Sequence, residues 1–342
     1  MREPEMAEVI PRRIGIVGLG LIGGSLACRL CDAGCEVLAW NHTTRPYASA
    51  ETYGIHCMPT LKALAIAQPD VLILCNPLRA MPEILEALRP VLNPVTTLTD
   101  VGSVKGMVRD QVISAGLERY YVGAHPMAGN ERSGWEAADA ALYDGALWAV
   151  TVDANTEYQR FMTVASMVTE LCRNRLMVLD DVSHDRAAAL ISHMPHVVAT
   201  ALINELVANP GRDVAASLAA GSWRDMTRVA LTDPNRTRAM VEEDSANVSS
   251  LLRSMAVRLT TMADALDDGQ ETAVADFFAE GQPFRDYKAG RNIARDDGAE
   301  HTVQVPEQGW QDMLRDLAYA GDHVIRCNGY RSMVVRRVVH VV

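Results

Sequence analysis

A chain of 342 residues, 49% hydrophobic and 22% charged, is long enough for two domains with a sizeable core and has the composition of a soluble globular protein. Its formal charge of -11 excludes a nucleic-acid surface, which needs a clustered basic face; Arg331, Arg336 and Arg337 near the C-terminus are too few to supply one. No apolar run approaches the roughly 18 to 20 residues of a membrane span, and the acidic stretch Met1 to Glu8 is not a signal peptide, so the expected location is the cytoplasm.

The first element is a short buried strand, Arg13 to Val17, followed at once by Gly18-Leu19-Gly20-Leu21-Ile22-Gly23 and a helical pattern through Leu30. This strand, turn and helix context is what a dinucleotide-binding fingerprint requires. Gly18 permits the tight turn, Gly20 lets the backbone approach a pyrophosphate, and Gly23 lets helix and strand pack closely; the amides of Leu21 and Ile22 then open the helix toward the phosphates. Cys28 and Cys31 lie in that helix and Cys35 follows the Gly34 that ends it, which suits reduced core thiols better than metal ligands; no metal is expected.

The second strand, Glu36 to Trp40, ends at Asn41, about where an acidic residue would bind the ribose 2′-hydroxyl of NAD. No carboxylate stands there, and His42, Thr43, Thr44 and Arg45 follow with donors and a cation suited to a 2′-phosphate. The expected cofactor is NADP in preference to NAD. The alternative is that Asn41 holds a ribose hydroxyl by itself and Arg45 is a solvated loop residue.

Further β-rich runs follow at Val71 to Cys75, Thr96 to Thr99, Tyr120 to Val122 and Leu147 to Thr151, alternating with helical ones. That alternation predicts a parallel, doubly wound Rossmann-type sheet over residues 1–153, whose ligands bind beyond the carboxyl ends of the strands. The loops at that edge are Gly18 to Gly23, Asn41 to Arg45, Asn76-Pro77, Asp100 to Lys105 and His125 to Gly129. Asn76 is accordingly placed among the cofactor contacts. His125 reads as a lone histidine in a glycine-flanked loop and is the candidate base, against the plainer reading of a core histidine with both nitrogens satisfied. Ser103 stands either as a helix N-cap or as a hydrogen-bond partner for whatever binds there.

After about residue 155 the strand signals stop and long helical patterns predict an all-helical domain over 154–290. The segment Ala187 to Ile203 is apolar nearly all round and is expected to be buried on every side, between subunits of a homodimer. Within it Ser192, His193 and His196 surround Pro195, which would kink the helix and free backbone groups; the two histidines, one turn apart, could face one ligand. Ala220 to Arg228 is a glycine-led stretch with two arginines, each able to grip a carboxylate bidentately or to serve as a solvated salt-bridge partner. Residues 291–300 read as a linker, and 301–342 as a small β-α-β-β appendage that regulates, dimerises or braces the core.

Gly18 to Leu26, Asp100-Val-Gly-Ser-Val-Lys105, Gly123-Ala-His-Pro-Met-Ala-Gly129, Ser192-His-Met-Pro-His196 and Asp225-Met-Thr-Arg-Val-Ala230 occur in an order and spacing that resembles the prephenate/arogenate dehydrogenase family of tyrosine biosynthesis. The resemblance covers roughly residues 12 to 290. It implies a nucleotide domain, a helical dimerisation domain and a site between them, acting by NAD(P)-dependent oxidative decarboxylation of prephenate to 4-hydroxyphenylpyruvate or of arogenate to tyrosine. It makes His125 the residue that hydrogen-bonds the ring hydroxyl, with Ser103 assisting, Arg228 the partner of the ring carboxylate, and His196 and Ser192 part of the same pocket. The chain departs from the family pattern at Asn41, where NAD-dependent members carry an acidic residue. It departs again at Asn130, where a threonine is common in a loop that touches the substrate side chain, which leaves prephenate and arogenate both open.

Two other readings compete. One is another two-domain reductase of the β-hydroxyacid dehydrogenase type, which would use a lysine in the helical domain; the helix from Ala187 to Ile203 has none. The other is a non-catalytic NADP-binding sensor, which gives no reason for His125, Ser103 and Arg228 to occur together.

Overall fold

The computed structural model describes residues 4–293 and 298–338. Among the described residues it divides into two compact units, the first formed by residues 4–185 with 300–336, the second by residues 186–293 with 298–299 and 337–338.

The first unit is built on one 11-stranded sheet in the order β3-β2-β1-β4-β5-β6-β7-β8-β10-β11-β9. Strands β1 (Arg13–Val17), β2 (Glu36–Trp40), β3 (His56–Cys57), β4 (Val71–Leu74), β5 (Thr97–Asp100) and β6 (Tyr121–Pro126) are all parallel. Successive residues of a strand face opposite sides of a sheet, and β4 shows the consequence. Val71 and Ile73 join one core with Ile14, Ile16, Leu26 and Val37, while Leu72 and Leu74 join a second with Leu38, Leu64, Leu85 and Val108. Runs apolar on both faces are what a sheet covered by helices on both sides demands.

Beyond β6 the sheet departs from the expected parallel order. Strand β7 (Leu147–Thr151) pairs antiparallel with β6, setting His125 opposite Ala149, and β8 (Arg175–Leu179) pairs parallel with β7. The sequence pattern offered no strand between residues 155 and 290, because five residues between two helical runs carry little periodic signal; β8 lies within the first unit and extends it past the expected boundary at 153. His125 sits on a strand and not in a loop.

The expected appendage is part of the sheet. Strands β9 (Glu300–Gln304), β10 (Asp322–Gly329) and β11 (Ser332–Arg337) and the helix Trp310–Tyr319 form a β-α-β-β unit whose β10 pairs antiparallel with β8 through Val324 and Leu176. Trp310, Leu314, Met333 and Val335 join the same core as Phe161 and Trp148. The Trp310 ring lies 5.0 Å from Tyr158 and 4.9 Å from Phe161. The unit therefore braces the sheet, the last of the three roles the sequence left open. The expected linker meets the helix Gln282–Ile293 at one end and β9 at the other, and its residues 294–297 lie outside the described residues, as does the expected continuation of the last strand over 339–342.

At the carboxyl end of β5, Asp100 and Lys105 form a fully buried ion pair. Asp100 Oδ2 also accepts from the Gly102 amide at 2.8 Å, and its Oδ1 accepts from the Tyr121 hydroxyl at 2.8 Å and the Ala124 amide at 3.3 Å. The Lys105 ammonium gives a second hydrogen bond to the Ala124 carbonyl at 2.8 Å. Burial pulls the Lys105 pKa down and Asp100 opposes it, while burial and then Asp100 raise the Tyr121 phenol, which stays a donor. A Cβ on Gly123 would lie 2.4 Å from Thr151 Oγ1 and 2.9 Å from the Tyr121 hydroxyl, so only glycine fits between this cluster and β7.

The second unit is helical: Met194–Ala208, Arg212–Leu218, Gly221–Thr227, Pro234–Glu243, Ser245–Asp267, Glu271–Ala279 and Gln282–Ile293. Its buried apolar side chains among the described residues are few and small, chiefly alanines with Met194 and Val248. Leu190, Ile191, Val207, Leu218, Leu231 and Phe278 are exposed. The expectation that Ala187 to Ile203 is buried on every side fails for a single chain. Nor is Pro195 a simple kink: it lies inside one continuous helical run, directly after a π-helical turn over Ala189–His193. Asp181–Ala208 is long and apolar enough to cross a membrane by length and composition, contrary to the reading of the sequence, because its polar Ser192, His193 and His196 are scattered through an otherwise apolar run.

Two stability outcomes follow. Trp310→Ala should cost about 3 to 5 kcal/mol, read as a lower urea midpoint, and a midpoint equal to wild type would show that the C-terminal strands are not part of the core. Lys105→Met strands the Asp100 charge and should cost about 3 to 5 kcal/mol. Adding Asp100→Asn should restore part of that loss in the same denaturation experiment; no recovery would mean that packing, not charge, sets the effect.

Candidate active site

The glycine loop leaves β1 with Gly18 at φ +107, where a Cβ would lie 2.9 Å from the Cys75 carbonyl oxygen. A Cβ on Gly23 would lie 2.1 Å from the Gly18 carbonyl oxygen, so the helix Leu21–Asp32 can start this close to β1 only with glycine there. Gly20 differs: nothing lies within 4 Å of its Cβ position, and it opens that helix without any side-chain cap. A bare helix N-terminus facing open space is a fit for a pyrophosphate, whose oxygens would take the unused amides of the first turn, Leu21 and Ile22 among them.

Asn41 at the end of β2 is committed to this loop. Its Oδ1 accepts from the Leu19 amide at 3.0 Å, and its Nδ2 donates to the Thr43 carbonyl at 2.9 Å. His42, Thr43 and Arg45 are exposed beside it. At the end of β4, Asn76 Nδ2 donates to the Pro77 carbonyl at 3.0 Å, while its buried Oδ1 has no partner. An acceptor left unpaired at a strand's carboxyl end suits a donor from a bound ligand.

The Asp100 cluster fixes the strand on which the next residue, His125, is half-buried. His125 is not alone, as the sequence had it. Its Nδ1 lies 2.9 Å from His184 Nε2, and His184 Nδ1 lies 2.8 Å from Asp185 Oδ1. The two rings meet edge to face with centroids 5.1 Å apart. Asp185 in turn accepts from the backbone amides of Lys105 at 2.7 Å and Gly106 at 2.9 Å, so it caps the helix Lys105–Ser114. Burial alone would raise the Asp185 pKa, but the His184 hydrogen bond and the two amides outweigh it and hold the carboxyl below its usual range.

The cap position of that helix falls on Val104, which offers no acceptor, so Ser103 does not cap it; Ser103 sits half-buried in the preceding loop. The sequence reasoning missed His184 and Asp185. Their only local sign was an adjacent histidine and aspartate at the start of a helix, and the contacts that matter span 59 and 80 residues. Asn130 turns back on its own loop, its Oδ1 accepting from the Arg132 amide at 2.9 Å.

In the second unit, His193 is buried with Nδ1 2.9 Å from Asp244 Oδ2, and its Nε2 is buried without a partner. His196 is half-buried; burial lowers its pKa and the Arg236, His193 and Arg228 charges act in the same direction, against a hydrogen bond with the Val229 backbone that raises it. Arg228, exposed at the start of a short 3₁₀ turn, thus belongs to the same neighbourhood as His196, and Ser192 precedes His193 in the π-helical turn. Among the described residues no three potential metal ligands gather, and burial pushes Cys28 and Cys31 up to about 11, which keeps them thiols.

Both units resemble proteins of known kind. Residues 32–178 match the family model of the prephenate dehydrogenase nucleotide-binding domain, and residues 180–280 that of the prephenate dehydrogenase dimerization domain. A cyclohexadienyl dehydrogenase of Zymomonas mobilis is 30% identical over 281 residues, covering 80% of this chain and 95% of its own. Two crystal structures align on 80% of the chain. Prephenate dehydrogenase from Aquifex aeolicus, in complex with hydroxyphenyl propionate and NAD+, matches over 97% of its length with a TM-score of 0.73 and 28% identity. Arogenate dehydrogenase from Synechocystis matches over 99% of its length with a TM-score of 0.70 and 26% identity. The chain, an NAD(P)-dependent oxidoreductase in both architecture and sequence, belongs to the prephenate dehydrogenase family.

Proposed function

We propose that this chain oxidatively decarboxylates prephenate or arogenate with His125 as the base, and that it takes NADP in preference to NAD. The observation that carries the first part is the hydrogen-bonded series His125, His184 and Asp185 at the carboxyl edge of the sheet whose glycine loop fits a dinucleotide. Oxidation of the substrate's secondary alcohol releases a hydroxyl proton, and an imidazole is suited to take it near neutral pH. A bound nicotinamide supplies the acceptor for the hydride. Loss of the ring carboxylate as carbon dioxide then returns an electron pair to the ring, which becomes aromatic, and His125 gives its proton back to the ring oxygen. Ser103, in the loop preceding the Asp185-capped helix, assists at that hydroxyl.

Arg228 is assigned to the ring carboxylate and must orient it without overstabilising it, because grip on the ground state alone does not raise turnover. His196 and Ser192 are assigned to the same pocket, and Asn130 to the substrate side chain. The preference for NADP rests on the missing carboxylate at the end of β2 and on the exposed His42, Thr43 and Arg45 that follow it. The cytoplasm fits an enzyme of this kind.

A homodimer is proposed from the second unit, whose alanine-rich core is too small to hold its helices together while its large apolar side chains stay exposed. A second copy accounts for the apolar face of Asp181–Ala208 where a membrane would otherwise be invoked, since residues 180–280 match a dimerization domain.

Assaying prephenate and arogenate with NAD and NADP in all four pairings, by absorbance of the reduced nicotinamide, should show turnover with NADP ahead. Arg45→Ala should cost about tenfold in kcat/KM with NADP and leave NAD unaffected, the size of one charge-assisted hydrogen bond. His125→Asn should lower kcat by about 10² to 10⁴, and Arg228→Ala should mainly raise KM. Silence in all four pairings from folded protein would remove the catalytic assignment, and equal kcat in His125→Asn would remove its base. Light scattering at micromolar concentration should give twice the chain mass, 74.6 kDa if one doubles 37.3 kDa; a monomer would refute the dimer.

A further inference from the structure

We propose that His184, anchored by Asp185, is a positioning residue that fixes His125 as the Nδ1–H tautomer and so places the lone pair on Nε2. The inference rests on the reading of His125 as the base and adds the device that sets which nitrogen acts.

The tautomers follow from one end of the series. Asp185 receives three hydrogen bonds, from the Lys105 amide at 2.7 Å, the Gly106 amide at 2.9 Å and His184 Nδ1 at 2.8 Å. A carboxylate at a helix N-terminus is held ionised and only accepts, so His184 Nδ1 must carry a proton. In its uncharged form that ring presents a bare Nε2, and the His125 nitrogen 2.9 Å from it is then the donor. His125 Nδ1 thus carries the hydrogen and Nε2 the lone pair. Two of the three residues are fixed by surroundings unrelated to substrate: His184 is 2% and Asp185 7% exposed.

The arrangement also serves the charged state. A proton taken by His125 Nε2 makes an imidazolium whose Nδ1–H already points at an acceptor. If the Nδ1 proton passes on to His184 Nε2, the positive charge moves to the ring that touches the Asp185 carboxylate, and no proton is gained or lost from the series. The other charges nearby are each paired: Lys105 with Asp100, and Arg109 with Asp153 at 2.8 Å and with Asp181. Asp185 is thus the carboxylate in line with the two rings.

The test compares His184→Phe, His184→Gln and Asp185→Asn with wild type and with His125→Asn, in full-length protein on the substrate pair that turns over. His184→Phe removes the acceptor and should lower kcat by about 10²-fold while leaving KM and cofactor Kd unchanged. The acid limb of its kcat profile should move to lower pH, because the imidazolium loses its partner. A purely structural role would reduce active protein without moving that limb. His184→Gln retains an oxygen able to accept from His125 Nδ1–H and should recover most of the loss, whereas Asp185→Asn should resemble the Phe variant. Folded His184→Phe with wild-type kcat and an unmoved limb would overturn the proposal. If the Phe variant does not fold, His184→Gln and Asp185→Asn decide: equal, unshifted profiles in both refute it. Full activity in His125→Asn would instead refute the base itself, while an inactive His125→Asn beside a normal His184→Phe refutes only the positioning role.

Discussion

The buried pair of Asp100 and Lys105 is the interaction on which the site depends. Ionised groups without solvent are tolerable only when they are paired and hydrogen-bonded, and here the amides of Gly102 and Ala124, the Ala124 carbonyl and the Tyr121 hydroxyl add to the pairing. The requirement works in both directions. It holds the ends of β5 and β6 in one register, and it leaves no freedom at Ala124, the residue before His125. Lys105 also begins the helix whose first amides bind Asp185, so one residue links the buried pair to the histidine series through its side chain and its backbone.

A second constraint shapes the helical unit. A helix bundle is stable only when its apolar stripes are covered, and the stripes here meet mainly alanine within one chain. The π-helical turn at Ala189–His193 belongs to this picture. By inserting an extra residue before Pro195 it turns His193 inward onto Asp244 while the flanking Leu190 and Ile191 remain outward. The surface that asks for a partner and two of the residues assigned to substrate, Ser192 and His196, lie on the same helical run.

The C-terminal strands show how a local unit acquires its role from tertiary pairing. Seen alone, a β-α-β-β segment of this length has no core of its own. Added to β8, it covers Tyr158 and Phe161 with Trp310 and closes the far end of the main core.

What the sequence determined by itself is what depends on neighbours in the chain. The glycine loop between β1 and its helix, the carboxyl-edge position of the loops after β2 and β4, and the strand Leu147–Thr151 were all readable, because turn chemistry and hydrophobic period are local. His125 could be singled out by its place near a strand end. Strand β8 could not, since five residues between helical runs carry too little period, and the antiparallel turn of β7 could not, since strand direction is set by pairing. The tertiary structure alone decided that Asp185 caps a helix 80 residues earlier, that His184 faces His125, that Asn41 binds the Leu19 amide, and that the last strands extend the sheet. These are contacts between residues far apart in sequence, whose energies arise only when the fold has removed water from around them, and no spacing along the chain encodes them.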